Sequence, residues 1–151
     1  MAMVGYTAGV FDLFHIGHLN ILRRARSSCD YLIVGVTTDE LSRSGKGVNP
    51  VVPFSERVEI IRAVRYVDEV VPQDSYDKVT AWKTLGFNKI YVGSDWKDTA
   101  VWAALEQELL THNVKVVYLP YTQNTSSTKL RAFLDSYRAD MKHVRQEWNE
   151  E

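Results

Sequence analysis

The chain has a single cysteine, Cys29, so no internal disulfide can brace it. It also lacks any run approaching the roughly 20 apolar residues needed to cross a bilayer. No charged segment followed by an apolar stretch opens it, so the expected compartment is the cytoplasm and no membrane partner is expected. Charge of one sign is missing too: 18 Lys plus Arg stand against 19 Asp plus Glu, a formal net charge of −1. Without a positive field to hold a nucleic-acid backbone, no nucleic-acid partner is expected. Two common phosphate-binding signatures are absent. Gly45-Lys46-Gly47 does not have the spacing of G-x-x-x-x-G-K-[ST], and no G-x-G-x-x-G follows the first apolar run. This argues against a P-loop NTPase and against a nicotinamide dehydrogenase.

At 151 residues the chain is long enough for one well-buried core and too short for two ordinary domains. Residues 1–140 are therefore read as one domain and 141–151 as a charged helix end or tail. Short apolar runs at 4–8, 31–36, 69–71, 89–92 and 114–118 alternate with segments of helical period. Leu19, Ile21, Leu22 and Ala25 mark one helix face. Val58, Ile61 and Val64 mark another after a cap at Ser55. Val79, Trp82 and Leu85 precede a stop at Gly86, and Val101, Ala104, Leu105 and Leu109 precede Asn113. The pattern predicts an α/β fold: a doubly wound, Rossmann-like, five-stranded parallel sheet with helices on both faces. Ligands of such sheets bind beyond the carboxyl ends of the strands, where strand order reverses. The loops after the first and fourth strands, at Gly9-Val10-Phe11-Asp12 and Gly93-Ser94-Asp95-Trp96, reach that edge, as does 122–128.

The most informative segment is Asp12-Leu13-Phe14-His15-Ile16-Gly17-His18. Two imidazoles three positions apart fall on one side of an incipient helical turn and can both face a phosphate at its N-terminus. Asp12 could hold a divalent cation, Mg2+, bridging phosphate oxygens. A zinc pair is disfavoured, because the spacing is three and neither a Glu as in H-E-x-x-H nor a Cys partner is present. His112 and His143 are expected in ordinary core or surface roles, and Trp82, Trp102 and Trp148 as packing or interface residues. Tyr66 and Tyr76 are candidates for a self-association surface.

Six blocks carry a resemblance: 9–18, Thr37-Thr38-Asp39-Glu40, Pro53-Phe54-Ser55-Glu56-Arg57, Arg65-Tyr66-Val67-Asp68-Glu69-Val70, Gly93-Ser94-Asp95-Trp96 and Thr125-Ser126-Ser127-Thr128-Lys129-Leu130-Arg131. In order and spacing the chain resembles the H-x-G-H nucleotidyltransferases, and within them the small bacterial glycerol-3-phosphate cytidylyltransferases. The resemblance implies CMP transfer from CTP to glycerol-3-phosphate or to another small phosphate or phosphonate acceptor, with pyrophosphate released and no covalent intermediate. It further implies a homodimer and products that feed cell-surface polymers.

By the same resemblance, His15, His18, Lys46 and Arg131 are the catalytic candidates, with Lys46 on a flexible 44–47 loop. Ala8, Gly9, Val10, Phe11, Gly17, Asp95, Thr122, Ser126, Ser127 and Thr128 are the nucleotide-binding set. Asp12, Arg57, Arg65 and Trp96 are the acceptor-binding set, and Asp12 doubles as the metal ligand. The segment Tyr121-Thr122-Gln123-Asn124 departs from the family's R-T-x-G: a fixed positive charge is gone, and Asn124 stands where a left-handed turn asks for glycine. Two rivals stay open, an ATP-using adenylyltransferase and a non-catalytic nucleotide sensor. Transition-state donors as numerous as His15, His18 and Lys46 speak against the sensor.

Overall fold

The computed structural model describes residues 2–122 and 125–149. Five parallel strands, β1 (Val4–Gly9), β2 (Tyr31–Thr37), β3 (Glu69–Gln73), β4 (Lys89–Gly93) and β5 (Lys115–Leu119), form one sheet in the order β3-β2-β1-β4-β5. The chain steps outward from β1 to β3, then returns to the other side of β1 for β4 and β5. The reversal lies between β1 and β4, and that is where a crevice forms at the carboxyl edge.

The helices are α1 (Ile16–Ser27), α2 (Asp39–Lys46), α3 (Phe54–Arg62), α4 (Lys78–Leu85), α5 (Ala100–Thr111) and α6 (Ser127–Asn149), with a 3-10 turn at Ser94–Trp96. Residues 32–36 of β2 are all buried, and the two-residue period of a strand divides them between two cores. Leu32, Val34 and Val36 join Leu22 and Ala25 of α1 and Val58 and Ile61 of α3 on one face. Ile33 joins Tyr6, Ile90, Trp102 and Leu109 on the other, under α4 and α5. Truncating a side chain as enclosed as Leu22 to alanine costs about 2–5 kcal/mol. β3 lies at the sheet edge, which is why Pro72 is accommodated within it.

The structure differs from the sequence reading in three places. Residues 39–46 are helical: the Thr38 hydroxyl accepts from Leu41 N (3.2 Å), Asp39 and Glu40 occupy the positive end, and Gly47 closes the helix at φ +66°. Lys46 therefore sits on the last turn of a short helix and not in a loop. Ser55 is no cap, because α3 starts after Pro53 and Ser55 lies inside its first turn. On α5 it is Trp102 and Leu109 that turn inward, while Val101 and Ala104 face outward. The Asn124 turn lies outside the described residues. Among the described residues no helix is long and apolar enough to cross a membrane.

Candidate active site

The loop after β1 is unusual backbone. Phe11 and Leu13 are left-handed (φ 53° and 51°), a conformation strained for bulky residues and kept only when neighbours hold it. Phe11 is anchored in the core, and Asp12 supplies the rest of the restraint. The Asp12 carboxylate, 2% exposed, accepts from Leu13 N (3.1 Å), Val51 N (2.7 Å) and Val52 N (2.9 Å), and it pairs with the Arg131 guanidinium at 2.6 Å. Burial alone would raise its pKa, but the backbone N–H donors and Arg131 outweigh burial and hold it below the usual carboxylate range.

Helix α1 opens immediately beyond. His15 is its N-cap, and the Nδ1 atoms of both histidines accept backbone protons: His15 from Gly17 N (3.0 Å), His18 from His15 N (3.3 Å). With Nδ1 an acceptor on each ring, the proton must sit on Nε2, so the capping box fixes one tautomer for both side chains. The rings stack with centroids 3.9 Å apart. Gly17 makes this possible, because a Cβ there would come within 2.7 Å of His15 Cε1.

Both Nε2 atoms point to Ser127 Oγ, at 3.3 Å from His15 and 3.5 Å from His18. The Ser127 hydroxyl donates to the Asp12 carbonyl (2.6 Å), so its oxygen is free to accept from them. Burial, reinforced by the neighbouring His15, pushes His18 down to about 3, and burial lowers His15 as well. At neutral pH the pair is uncharged and offers two aimed N–H donors.

These groups border a cavity of about 390 Å³ at the switch point. Ala8, Gly9, Val10 and Phe11 line it from β1 and its loop; His15, Gly17 and His18 from the start of α1; Lys46 from α2; Asp95 and Trp96 from the turn after β4; and Thr122, Ser126, Ser127 and Thr128 from the approach to α6. Ser126 caps α6, its hydroxyl accepting from Lys129 N (3.1 Å), which sets the start of that helix at the cavity wall.

Four predicted residues do not reach the cavity. Arg57 is 1% exposed. Its guanidinium donates to the carbonyls of Val52 (2.9 Å), Val10 (2.7 Å) and Thr37 (2.8 Å) and to the Asp39 carboxylate (2.6 Å), so it braces the crevice from behind and leaves no fork for a phosphate. Arg65 precedes β3 at the amino edge of the sheet, against Tyr66, at the wrong end for any ligand of the crevice. Asp12 and Arg131 pair with each other behind the loop, so the Asp12 oxygens are turned away from an acceptor or a metal, and Arg131 acts on the backbone that carries the histidines. Among the described residues no group of three or more His, Cys, Asp or Glu could hold a metal. Of the remaining side chains, His112 stacks on Trp82 (4.2 Å), a packing role.

A second cavity of about 400 Å³ adjoins the first and shares Ala8, Gly9, Lys46 and Trp96 with it. Among the residues peculiar to it, sequence reasoning missed Gln73 and Lys78, which belong to no motif, and read Trp102 as a packing or interface residue. Lys78 merely follows the Asp77 cap of α4, and nothing in the sequence marks it.

A switch-point crevice ending in paired neutral imidazoles and a capped helix start has the organisation of a nucleotidyltransferase. A model of the cytidylyltransferase-like family matches residues 6–133. Glycerol-3-phosphate cytidylyltransferase of Bacillus subtilis (strain 168) is 34% identical over 128 residues, covering 83% of this chain and 92% of that protein. FAD synthase of Thermococcus kodakarensis is also 34% identical, over 124 residues, covering 80% of this chain and 82% of that protein. The solved lipopolysaccharide core biosynthesis protein from Thermoplasma volcanium superposes with a TM-score of 0.69 at 22% identity, over 83% of this chain and 100% of that one, a likeness of fold. The chain belongs to the cytidylyltransferase-like family and is a nucleotidyltransferase.

Proposed function

We propose that the protein transfers CMP from CTP to a small phosphate-bearing acceptor. The observation that carries this reading is the convergence of His15 Nε2, His18 Nε2 and Ser127 Oγ on one point at the start of α6. An acceptor phosphate oxygen attacks the α-phosphorus of CTP; that O–P bond forms as the bond to the β-phosphate oxygen breaks, and pyrophosphate leaves with the electron pair. Such transfer needs alignment and charge stabilisation more than covalent help from the protein. The neutral imidazoles donate to the α-phosphate and leaving-group oxygens as their charge grows, and Lys46 balances it. Ser126, Ser127 and Thr128 with the α6 N-terminus receive the β- and γ-phosphates.

Among the described residues the side chains form no magnesium site, and the Asp12 oxygens are turned to Val51, Val52 and Arg131. Magnesium enters this reading as part of the substrate, carried by the triphosphate. Glycerol-3-phosphate is the reference acceptor, after the name of the Bacillus relative, and cell-surface polymer synthesis is the setting that acceptor suggests. A cytoplasmic homodimer completes the reading, to be checked by sedimentation of the full chain and by cell fractionation.

The relative named FAD synthase matches at the same identity, and Ser126-Ser127-Thr128-x-x-Arg131 suits an adenylyl donor as well, so ATP in place of CTP is the competing reading. Pyrophosphate release measured with CTP and with ATP, across a panel of phosphomonoesters and phosphonates with magnesium present, tests both. Release with CTP is expected; preference for ATP overturns the base assignment.

A further inference from the structure

The second cavity holds an unusual electrostatic arrangement. Lys78 makes no hydrogen bond or ion pair with any described residue. Burial, with the like charge of Lys46, holds its ammonium down to about 8. It also stands in the first turn of α4, where the helix dipole disfavours a cation. No acidic side chain lines the cavity. Gln73, 5% exposed, accepts the Thr37 hydroxyl proton at its amide oxygen (2.8 Å), and its amide N–H groups have no partner among the described residues. Two ammonium groups and a buried amide donor around one space, without a counter-charge, form a site whose missing component is an anion.

Most of the remaining wall is apolar or aromatic, with Ile90, Val101 and Leu105 beside Tyr76, Trp96 and Trp102. Gly45 lets Tyr76 seat against the turn that carries Lys46, since a Cβ at 45 would collide with the Tyr76 ring. A space of about 400 Å³ lies in the range that takes drug-sized ligands, well beyond a three-carbon polyol.

We propose that this cavity is the acceptor subsite, that Lys78 acts with Lys46 and Gln73 to hold the acceptor's phosphate, and that the aromatic wall selects phosphomonoesters with an apolar or ring-bearing body. The assignment rests on the transferase reading above. It is consistent with Lys46 lining both cavities, because a phosphate held there lies between the acceptor's body and the α-phosphorus it attacks.

The test uses the full chain, with phenyl phosphate and glycerol-3-phosphate as probes, titrated by calorimetry with and without CTP. Phenyl phosphate is expected to bind at least about tenfold more tightly than glycerol-3-phosphate. Lys78→Met is expected to weaken phenyl phosphate about tenfold, the loss of one charge-assisted contact, with CTP affinity and thermal midpoint unchanged. Trp102→Leu is expected to weaken phenyl phosphate more than glycerol-3-phosphate. Failure of both probes to bind, equal or tighter binding of glycerol-3-phosphate, or indifference to Lys78→Met would each overturn the proposal. Absence of heat with both CTP and ATP overturns the transferase reading instead, and the phosphomonoester titrations still report on the lysines.

Discussion

The two lobes of the crevice are built in opposite ways. Around His15, His18 and Ser127 the groups that meet the phosphate are held in place: capping bonds orient the rings, Asp12 is clamped by three backbone N–H groups and an arginine, and Arg57 braces the loop from inside. Around Lys46 and Lys78 the two ammonium groups are unpaired among the described residues, in a space walled by apolar and aromatic side chains. The difference teaches where a transferase of this kind keeps its constants and its variables. Donors that meet the reacting phosphorus gain from being fixed beforehand, since no reorganisation then accompanies the reaction. Groups that meet the variable partner are left free.

Substitutions in the clamped lobe should therefore strike turnover and folding, and those in the open lobe turnover alone. The largest effect is expected for His18→Ala, a fall in kcat of about 10²–10³ with CTP affinity changed only a few-fold, read by pyrophosphate release and calorimetry. Arg131→Met, which strands a buried carboxylate, should cost about 3 kcal/mol in denaturant unfolding. The same substitution should move acid unfolding to higher pH. The Asp12 carboxyl, held below its ordinary value, contributes stability that is complete above about 3.8 and lost as pH falls through the folded value. Lys46→Ala should lower turnover about tenfold and leave the unfolding midpoint where it is.

A gentler test uses pH alone. Because the His18 imidazole sits near 3 when folded and near 6.5 when unfolded, its stabilisation is complete above 6.5 and declines as pH drops from there toward 3. Denaturation midpoints should fall between pH 7 and 5 while the His18 ring signal in proton NMR stays constant; a His18 signal titrating near 6.5 would contradict the neutral pair. The smallest effect is expected for Arg65→Ala, within about twofold of wild type in turnover, since its guanidinium lies at the other end of the sheet.

Much of this was legible in the sequence because it rests on pattern. Strands β1, β2, β4 and β5 are apolar runs with clear ends, and the H-x-G-H spacing carries the cap geometry with it. Helix α2 escaped because Ser44-Gly45-Lys46-Gly47 looks like a loop, although Thr38, the acids at 39 and 40 and Gly47 spell a start and a stop. The buried partners of Arg57 and Asp12 are not legible in the sequence for a deeper reason: a charged side chain reads the same whether it faces a ligand or a buried partner. Only the positions of Val10, Thr37 and Val52 carbonyls distinguish the two for Arg57, and those depend on residues up to 47 positions away.

Ser127 and Arg131 reach Asp12 across 115 and 119 positions of sequence. A chain emerging from the ribosome thus owns its imidazoles early yet lacks the partners of the Asp12 loop until α6 has been synthesised and has docked. The enzyme should be silent until α6 docks, and any lesion that detaches α6 should switch it off without touching a single atom of the H-x-G-H segment.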